Sequence, residues 1–316
     1  MSFSQSVKEE IFKNLKKVKG CCATAFLTAV LKSIGSLCVD SDGYGFSAES
    51  DNGDLLEFCS YLAQTHFGLE SVTYEIRSSH DLPDKSVKYV CKFNVELGKK
   101  LGLVHFEKDF VRIVDVPKLN LNSNCCKRAF MQALFLSCGS VTVPQSEDMF
   151  EESKHSNYHL ELRFVNEQFA KFVAESFDFL QFRQTERKNV TVLYIKDSEK
   201  IADFFVFVNA VNAKFHLEDI IIKRSYRNTA NRQRNCIDSN IDKTVAAGSK
   251  QVVAIEKIRR HNKFQTLPQQ LKEVAEARLE NPEANLSELA AVLGISKSGV
   301  NHRLTKLLEI AADLPD

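Results

Sequence analysis

Apolar residues recur three and four positions apart near the start of the chain, at Val7, Ile11, Phe12, Leu15 and Val18, with lysines and glutamates between them. That spacing predicts an amphipathic helix. Beyond it, LLEFCSYLAQTHF carries a helical pattern, while SVTYEIRS and KYVCKFNVE alternate as strands. The second part of the chain repeats this order, with YHLELRFV and NVTVLYIKD as strands, and EQFAKFVAESF and SEKIADFFVFVNA as helices. Asp40, Ser41, Asp42 and Gly43 form a strong turn signal after the first repeat. Helix, strands, helix, strands, helix in each half predicts an α+β arrangement with mostly antiparallel sheets.

The halves are copies. CCATAFLTAVLKSIGSL, from Cys21 to Leu37, matches CCKRAFMQALFLSCGSV, from Cys125 to Val141, 104 residues later. Both place small residues four apart: Cys21, Ala25, Ala29 and Ser33 in one, Cys125, Ala129, Ala133 and Ser137 in the other. Such positions share a helix face. A stripe without bulk lets two helices approach closely, so the copies are expected to meet there about a pseudo-twofold axis.

Bulk charge excludes little, because 42 Lys and Arg face 41 Asp and Glu, and the distribution matters more. None of the nine cysteines sits in a C-x-x-C arrangement, which argues against a zinc site. The odd count, the vicinal pairs and the lack of a secretory leader point to reduced thiols in a cytoplasm, packing as small apolar groups. No apolar run reaches the ~18 residues of a membrane span. No Gly-rich phosphate loop, catalytic triad spacing or paired-acid site is legible, so no cofactor or small-molecule substrate is expected.

Basic residues concentrate between Lys214 and Lys263, where twelve stand against five acids. The segment reads as long helices interrupted near Asn228 to Asp238, and arginines beside Asn and Thr suit phosphate contact. After it, Pro268 opens a helix that halts at Asn281-Pro282. NLSELAAVLGISKSGVNHRLTKLLEI then reads as a helix-turn-helix, with Asn285 or Ser287 capping the first helix, Gly294 ending it and Ser296 capping the second. Val300, Leu304 and Leu307 are expected to pack inward. The other face carries Lys297, Ser298, Asn301, His302, Thr305 and Lys306, with Arg303 on the flank, a set suited to base edges and phosphates.

With duplication and ending both in view, the chain resembles the bacterial sporulation regulator WhiA family over essentially its full length. The paired CC…GS repeats, NRQRNCIDSNIDKT (Asn231 to Thr244) and SKSGVNHRL (Ser296 to Leu304) carry the resemblance. It implies a pseudo-twofold duplicated domain similar to LAGLIDADG homing endonucleases, followed by a small all-α helix-turn-helix domain that binds promoter DNA. It also implies a transcriptional regulator linked to sporulation, cell division or chromosome segregation. Homing endonucleases hold metal ions on one acid near the end of each repeat helix, directly before the glycine. The matching residues here are Ile34 and Cys138, with Lys32 and Leu136 two positions earlier, so neither a metal site nor nuclease activity is expected.

The expected division is residues 1–213 for the duplicated domain (halves about 1–110 and 111–213), 214–263 for a basic helical connector and 264–316 for the helix-turn-helix. The expected activity is sequence-specific, non-enzymatic binding of double-stranded DNA, in the cytoplasm on the nucleoid. The reading helix is the one from Lys297 to Lys306, and Arg227, Arg232, Arg234 and Lys243 grip phosphates. Strand residues Glu75, Arg77, Lys88 and Lys92, and Glu161, Arg163, Arg187 and Lys188, are mixed in sign, which suits a protein surface better than a DNA saddle. The competing readings are therefore a scaffold for transcription or cell-division proteins, and a residual endonuclease.

Overall fold

The computed structural model describes residues 2–15, 18–40, 43–77, 87–107, 110–144 and 157–315. Ser41 and Asp42 of the expected turn, and the side chains of Asp40 and Arg77, lie outside the described residues. The chain divides into two compact units, Met1–Arg224 and Ser225–Asp316.

In the first unit, helix α1 (Phe3–Lys13) buries Val7 and Ile11 of the expected stripe together with Phe3, and it ends before Leu15 and Val18. Then comes α2 (Gly20–Ile34), followed by β1 (Gly35–Asp40), β2 (Gly43–Ser50), α3 (Gly53–Phe67), β3 (Ser71–Arg77), β4 (Val87–Asn94) and α4 (Val95–Lys100). A short hairpin, β5 (Val104–Phe106) and β6 (Val111–Ile113), leads to the second copy. That copy runs α5 (Asn124–Cys138), β7 (Gly139–Thr142), β8 (His159–Phe164), α6 (Glu167–Ser176), β9 (Arg183–Arg187), β10 (Val190–Ile195) and α7 (Ser198–Phe207). The sheets have the same antiparallel order, β1-β2-β4-β3 and β7-β8-β10-β9. The predicted duplication is thus a duplication of topology.

Local chemistry repeats as well. Asn52 accepts from the Leu55 N–H to start α3, and Asn166 accepts from the Phe169 N–H to start α6. Asn94 and Asp197 do the same for α4 and α7. Each such cap contributes about 1 kcal/mol and fixes where strand becomes helix. Helices α2 and α5 bury nearly every residue between their first turn and their last, and lie against each other at the centre of one continuous core. Phenylalanine fills the second half: the Phe130 ring stacks on Phe177 at 5.9 Å and meets Phe169 edge-on at 6.1 Å. Pairs of this kind add about 0.5–1.5 kcal/mol beyond area burial.

A long helix, α8 (Val211–Arg260), crosses from the first unit into the second. Glu10 of α1 caps its start, accepting from the N–H groups of Asn212 and Ala213 at 2.7 and 2.8 Å, where the helix dipole favours a carboxylate. The interruption expected near Asn228 to Asp238 is absent, because α8 is continuous there. Asn, Thr and Ser lower helix propensity by tenths of a kcal/mol, but only proline or a committed turn breaks a helix, and this stretch has neither.

In the second unit, Ala254, Ile255 and Ile258 of α8 join a separate core with α9 (Gln269–Glu280), α10 (Leu286–Leu293) and α11 (Lys297–Ala312).

Candidate nucleic-acid interface

The geometry of α10 and α11 follows from four residues. Asn285 and Glu288 form a reciprocal capping box at the start of α10, and Gly294 ends that helix in the left-handed region at φ 64°. Ser296 then accepts from the Gly299 N–H at 3.1 Å to open α11. Glycine has no Cβ to oppose a positive φ, so the turn stays tight. Val300, Leu304 and Leu307 are buried in the unit's core, as their spacing predicts.

Opposite them, the expected reading residues are all solvent-facing. Lys297, Asn301 and Thr305 form one ridge, and Ser298, His302 and Lys306 lie beside it; all six are exposed and Arg303 is half-buried. Thr305 donates its hydroxyl to the Asn301 carbonyl at 2.9 Å, so outward it offers a methyl and a lone pair rather than a donor. The face therefore combines two cations, an amide and an imidazole at a helix N-terminus, with no apolar residue among them.

The four connector residues do not form one grip. Arg227 and Arg234 stand two turns apart on one side of α8, whereas Arg232 and Lys243, three turns apart, share roughly the opposite side. Arg232, Arg234 and Lys243 are exposed and Arg227 is half-buried.

At the far end of the duplicated pair, the positions where the resemblance places nuclease carboxylates carry other side chains. Ile34 and Cys138 close α2 and α5, and the Ser33 and Ser137 hydroxyls meet between them at 2.7 Å. Lys32 donates to the Val114 carbonyl at 2.8 Å, and burial holds both its pKa and that of Lys8 below the ordinary value. Asp51 and Cys138 lie near enough to Lys8 to oppose that shift. A hard divalent cation needs several oxygens and repels ammonium groups, so this donor set does not fit magnesium. A groove of about 690 Å³ alongside is lined by Lys8, Asp51, Asp54, Glu57 and Ser137, an acid-rich wall that repels DNA phosphates.

Sheet register sorts the mixed strand charges. Val192 pairs with Arg163 and with Thr185, so Arg163, Arg183 and Arg187 share a face with Glu161. Glu161 is consumed internally. Its carboxylate accepts from Arg163 Nε at 2.9 Å and meets His159 Nε2 at 3.1 Å. Burial pushes its pKa up, but these bonds outweigh burial and hold it below the ordinary carboxylate range.

One constellation was missed by spacing along the chain. At the first turns of α2 and α5, the sulfurs of Cys21, Cys22, Cys125 and Cys126 all lie within 4.8 Å of one another. Burial pushes the Cys22 and Cys126 thiols up, while the Ser123 hydroxyl and Cys22 draw Cys125 down to about 7. The signal was present in the repeat: Cys21 and Cys125 head the two small-residue stripes, each with a cysteine beside it.

Fold and site together define a class: a duplicated LAGLIDADG-like platform whose repeat helices end without carboxylates, followed in the chain by a helix-turn-helix unit. Comparison with known sequences agrees. Residues 127–227 match the WhiA LAGLIDADG-like domain and residues 230–311 match the WhiA C-terminal HTH domain. The chain is 33% identical to a probable cell division protein WhiA of Caldicellulosiruptor saccharolyticus, covering 99% of this chain and 96% of that one. It is 32% identical to the protein of the same name in Geobacillus thermodenitrificans, with the same coverage. The chain belongs to the WhiA family. In fold it is similar to full-length WhiA from Thermotoga maritima, at 24% identity and a TM-score of 0.52 over 100% of both chains. Among the described residues, no helix is long and apolar enough to cross a membrane.

Proposed function

We propose that this protein is a sequence-specific DNA-binding transcriptional regulator that does not cut DNA. The observation that carries the reading is the outward surface of α11, six exposed polar residues backed by a buried apolar stripe. In this reading residues 264–316 read bases, 214–263 hold phosphates, and 1–213 form a platform without metal-dependent chemistry. The relatives' names point to cell division as the process served, and the family resemblance to sporulation and chromosome segregation. The repeat helices' ends without carboxylates support a non-enzymatic role, and a DNA reader works in the cytoplasm on the nucleoid.

The test is fluorescence anisotropy on genomic fragments selected by the full-length protein. Replacing Lys297, Asn301 and His302 together by alanine is expected to cost about 2 kcal/mol or more, roughly 30-fold in affinity, for the selected fragment only. Unchanged preference among fragments would sink the assignment. The connector makes a different expectation, because phosphate contacts set salt dependence. On one of its two sides both Arg232 and Lys243 are exposed; changing both to glutamine should flatten the slope of log affinity against log salt by about two. An unaltered slope would remove that side of α8 from the interface.

A scaffold role for the platform has its own support. Val72 and Tyr74 of β3 leave apolar side chains in solvent, 65% and 39% exposed. Transcription or cell-division proteins are the partner class this reading adds.

A further inference from the structure

We infer that Cys21, Cys22, Cys125 and Cys126 form a mononuclear tetrathiolate site for zinc, which ties the two halves of the duplicated domain together at one end of their helix pair. The sulfurs come in two vicinal pairs, one from each repeat, and all lie within 4.8 Å of one another, with Cys21 and Cys22 Sγ at 3.9 Å. A tetrahedral zinc with bonds of about 2.3 Å sets its sulfurs about 3.8 Å apart, so the cluster needs only a small contraction to close on the ion. An iron–sulfur cluster would have to spread four thiolates around two or more irons, and this group is too compact for that. The ligand set holds no oxygen, which selects a soft cation over magnesium or calcium.

The surroundings fit an anionic complex. Four thiolates around a divalent ion carry net negative charge, and the group sits in the first turns of α2 and α5, at two positive dipole ends. Neither helix has a side-chain cap there, so their first N–H groups point toward the sulfurs' end without a protein acceptor from a capping residue. The Ser123 hydroxyl lies 3.4 Å from Cys125 Sγ, the kind of outer contact that orients a ligand. Cys21 and Cys125 are exposed, which leaves the ion a path from solvent, whereas Cys22 and Cys126 anchor it from the buried side.

The pseudo-twofold axis gives the site its consequence. Each half supplies two ligands, so neither half alone completes the tetrahedron, and binding strengthens the association of the halves. Metal that binds only the assembled state stabilises it by linkage.

The experiment uses the full chain, purified under reductant without a metal-affinity step. Elemental analysis is expected to find about one zinc per chain, and replacement by cobalt(II) should give the intense visible absorption and thiolate charge-transfer bands of a tetrahedral sulfur site. Changing Cys21→Ser together with Cys125→Ser, both at exposed positions, should lower bound metal by about tenfold or more and abolish the cobalt spectrum, while Cys236→Ser on α8 keeps both. A zinc chelator should lower the thermal midpoint of the unmodified chain and leave the double variant unmoved. If that variant fails to fold, protection of these four thiols from alkylation by added zinc in the unmodified chain decides instead. Substoichiometric metal without a cobalt thiolate band, metal retained in the double variant, or a disulfide among the four sulfurs would each overturn the site.

Discussion

Arg278→Met is expected to destabilise the second unit by about 2–4 kcal/mol. Arg278 stands in the last turn of α9 and is 2% exposed. Its Nη1 donates to three carbonyls of the turn that follows, at Asn281 and Pro282 (3.2 Å each) and Ala284 (2.7 Å). Two effects oppose each other on replacement. Methionine keeps much of the apolar stem and removes a buried charge, whose desolvation lowers the arginine pKa. Against this, a charge-assisted hydrogen bond contributes about 1.5–3 kcal/mol, and two hydrogens serve three acceptors that methionine leaves without a donor. The bonds win, because the turn has little freedom to find substitutes. A Cβ placed on Gly248 of α8 would stand 2.4 Å from the Pro282 carbonyl, so the same turn is pressed against α8. Hydrogen exchange should show α9 to α11 opening together in the variant while the first unit keeps its protection, and DNA affinity should fall with it. A midpoint within about 0.5 kcal/mol of the parent would show that Arg278 is a passenger.

The parts legible in the sequence are those where one residue type has one physical use. Gly294 ends α10 and Ser296 opens α11 because a glycine takes a positive φ and a hydroxyl caps, and the stripe Val300, Leu304, Leu307 names the buried side. The duplicated halves were legible because small residues at a fixed period survive in both copies. What stayed hidden has equally plain causes. Strand β9 reads RQTER, with no apolar alternation, since it is an edge strand defined by its register with β10 rather than by burial. The β5–β6 hairpin is too short for a periodic signal. The continuity of α8 was obscured by Asn, Thr and Ser, which disfavour a helix without ending it. Nothing along the chain announces Arg278 as a buried guanidinium. Spacing within each copy does not reveal the four cysteines as a group, because their proximity arises between copies.

Ala133→Leu tests the feature on which the first unit depends, the closeness of α2 and α5, and is expected to cost about 3 kcal/mol. Ala25, Ala29 and Ala133 have no exposed surface and Ala129 has 5%. The Ser33 and Ser137 hydroxyls share a hydrogen bond at one end of the pair, and the four sulfurs crowd at the other. Between these fixed points the stripe positions are buried alanines, so three added carbons meet close-packed neighbours. Burial of those carbons is worth about 2 kcal/mol where space exists, but here they force the helices apart and break the serine bond. Two sheets are seated on the pair, so the displacement spreads through both halves. Urea unfolding followed by circular dichroism should show the loss, with Ala312→Leu on the exposed side of α11 as the comparison that changes stability by less than about 0.5 kcal/mol. Equal midpoints for Ala133→Leu and the parent would mean that the small-residue stripe does not set the helix separation. The two halves would then be held together by their sheets and aromatic core alone.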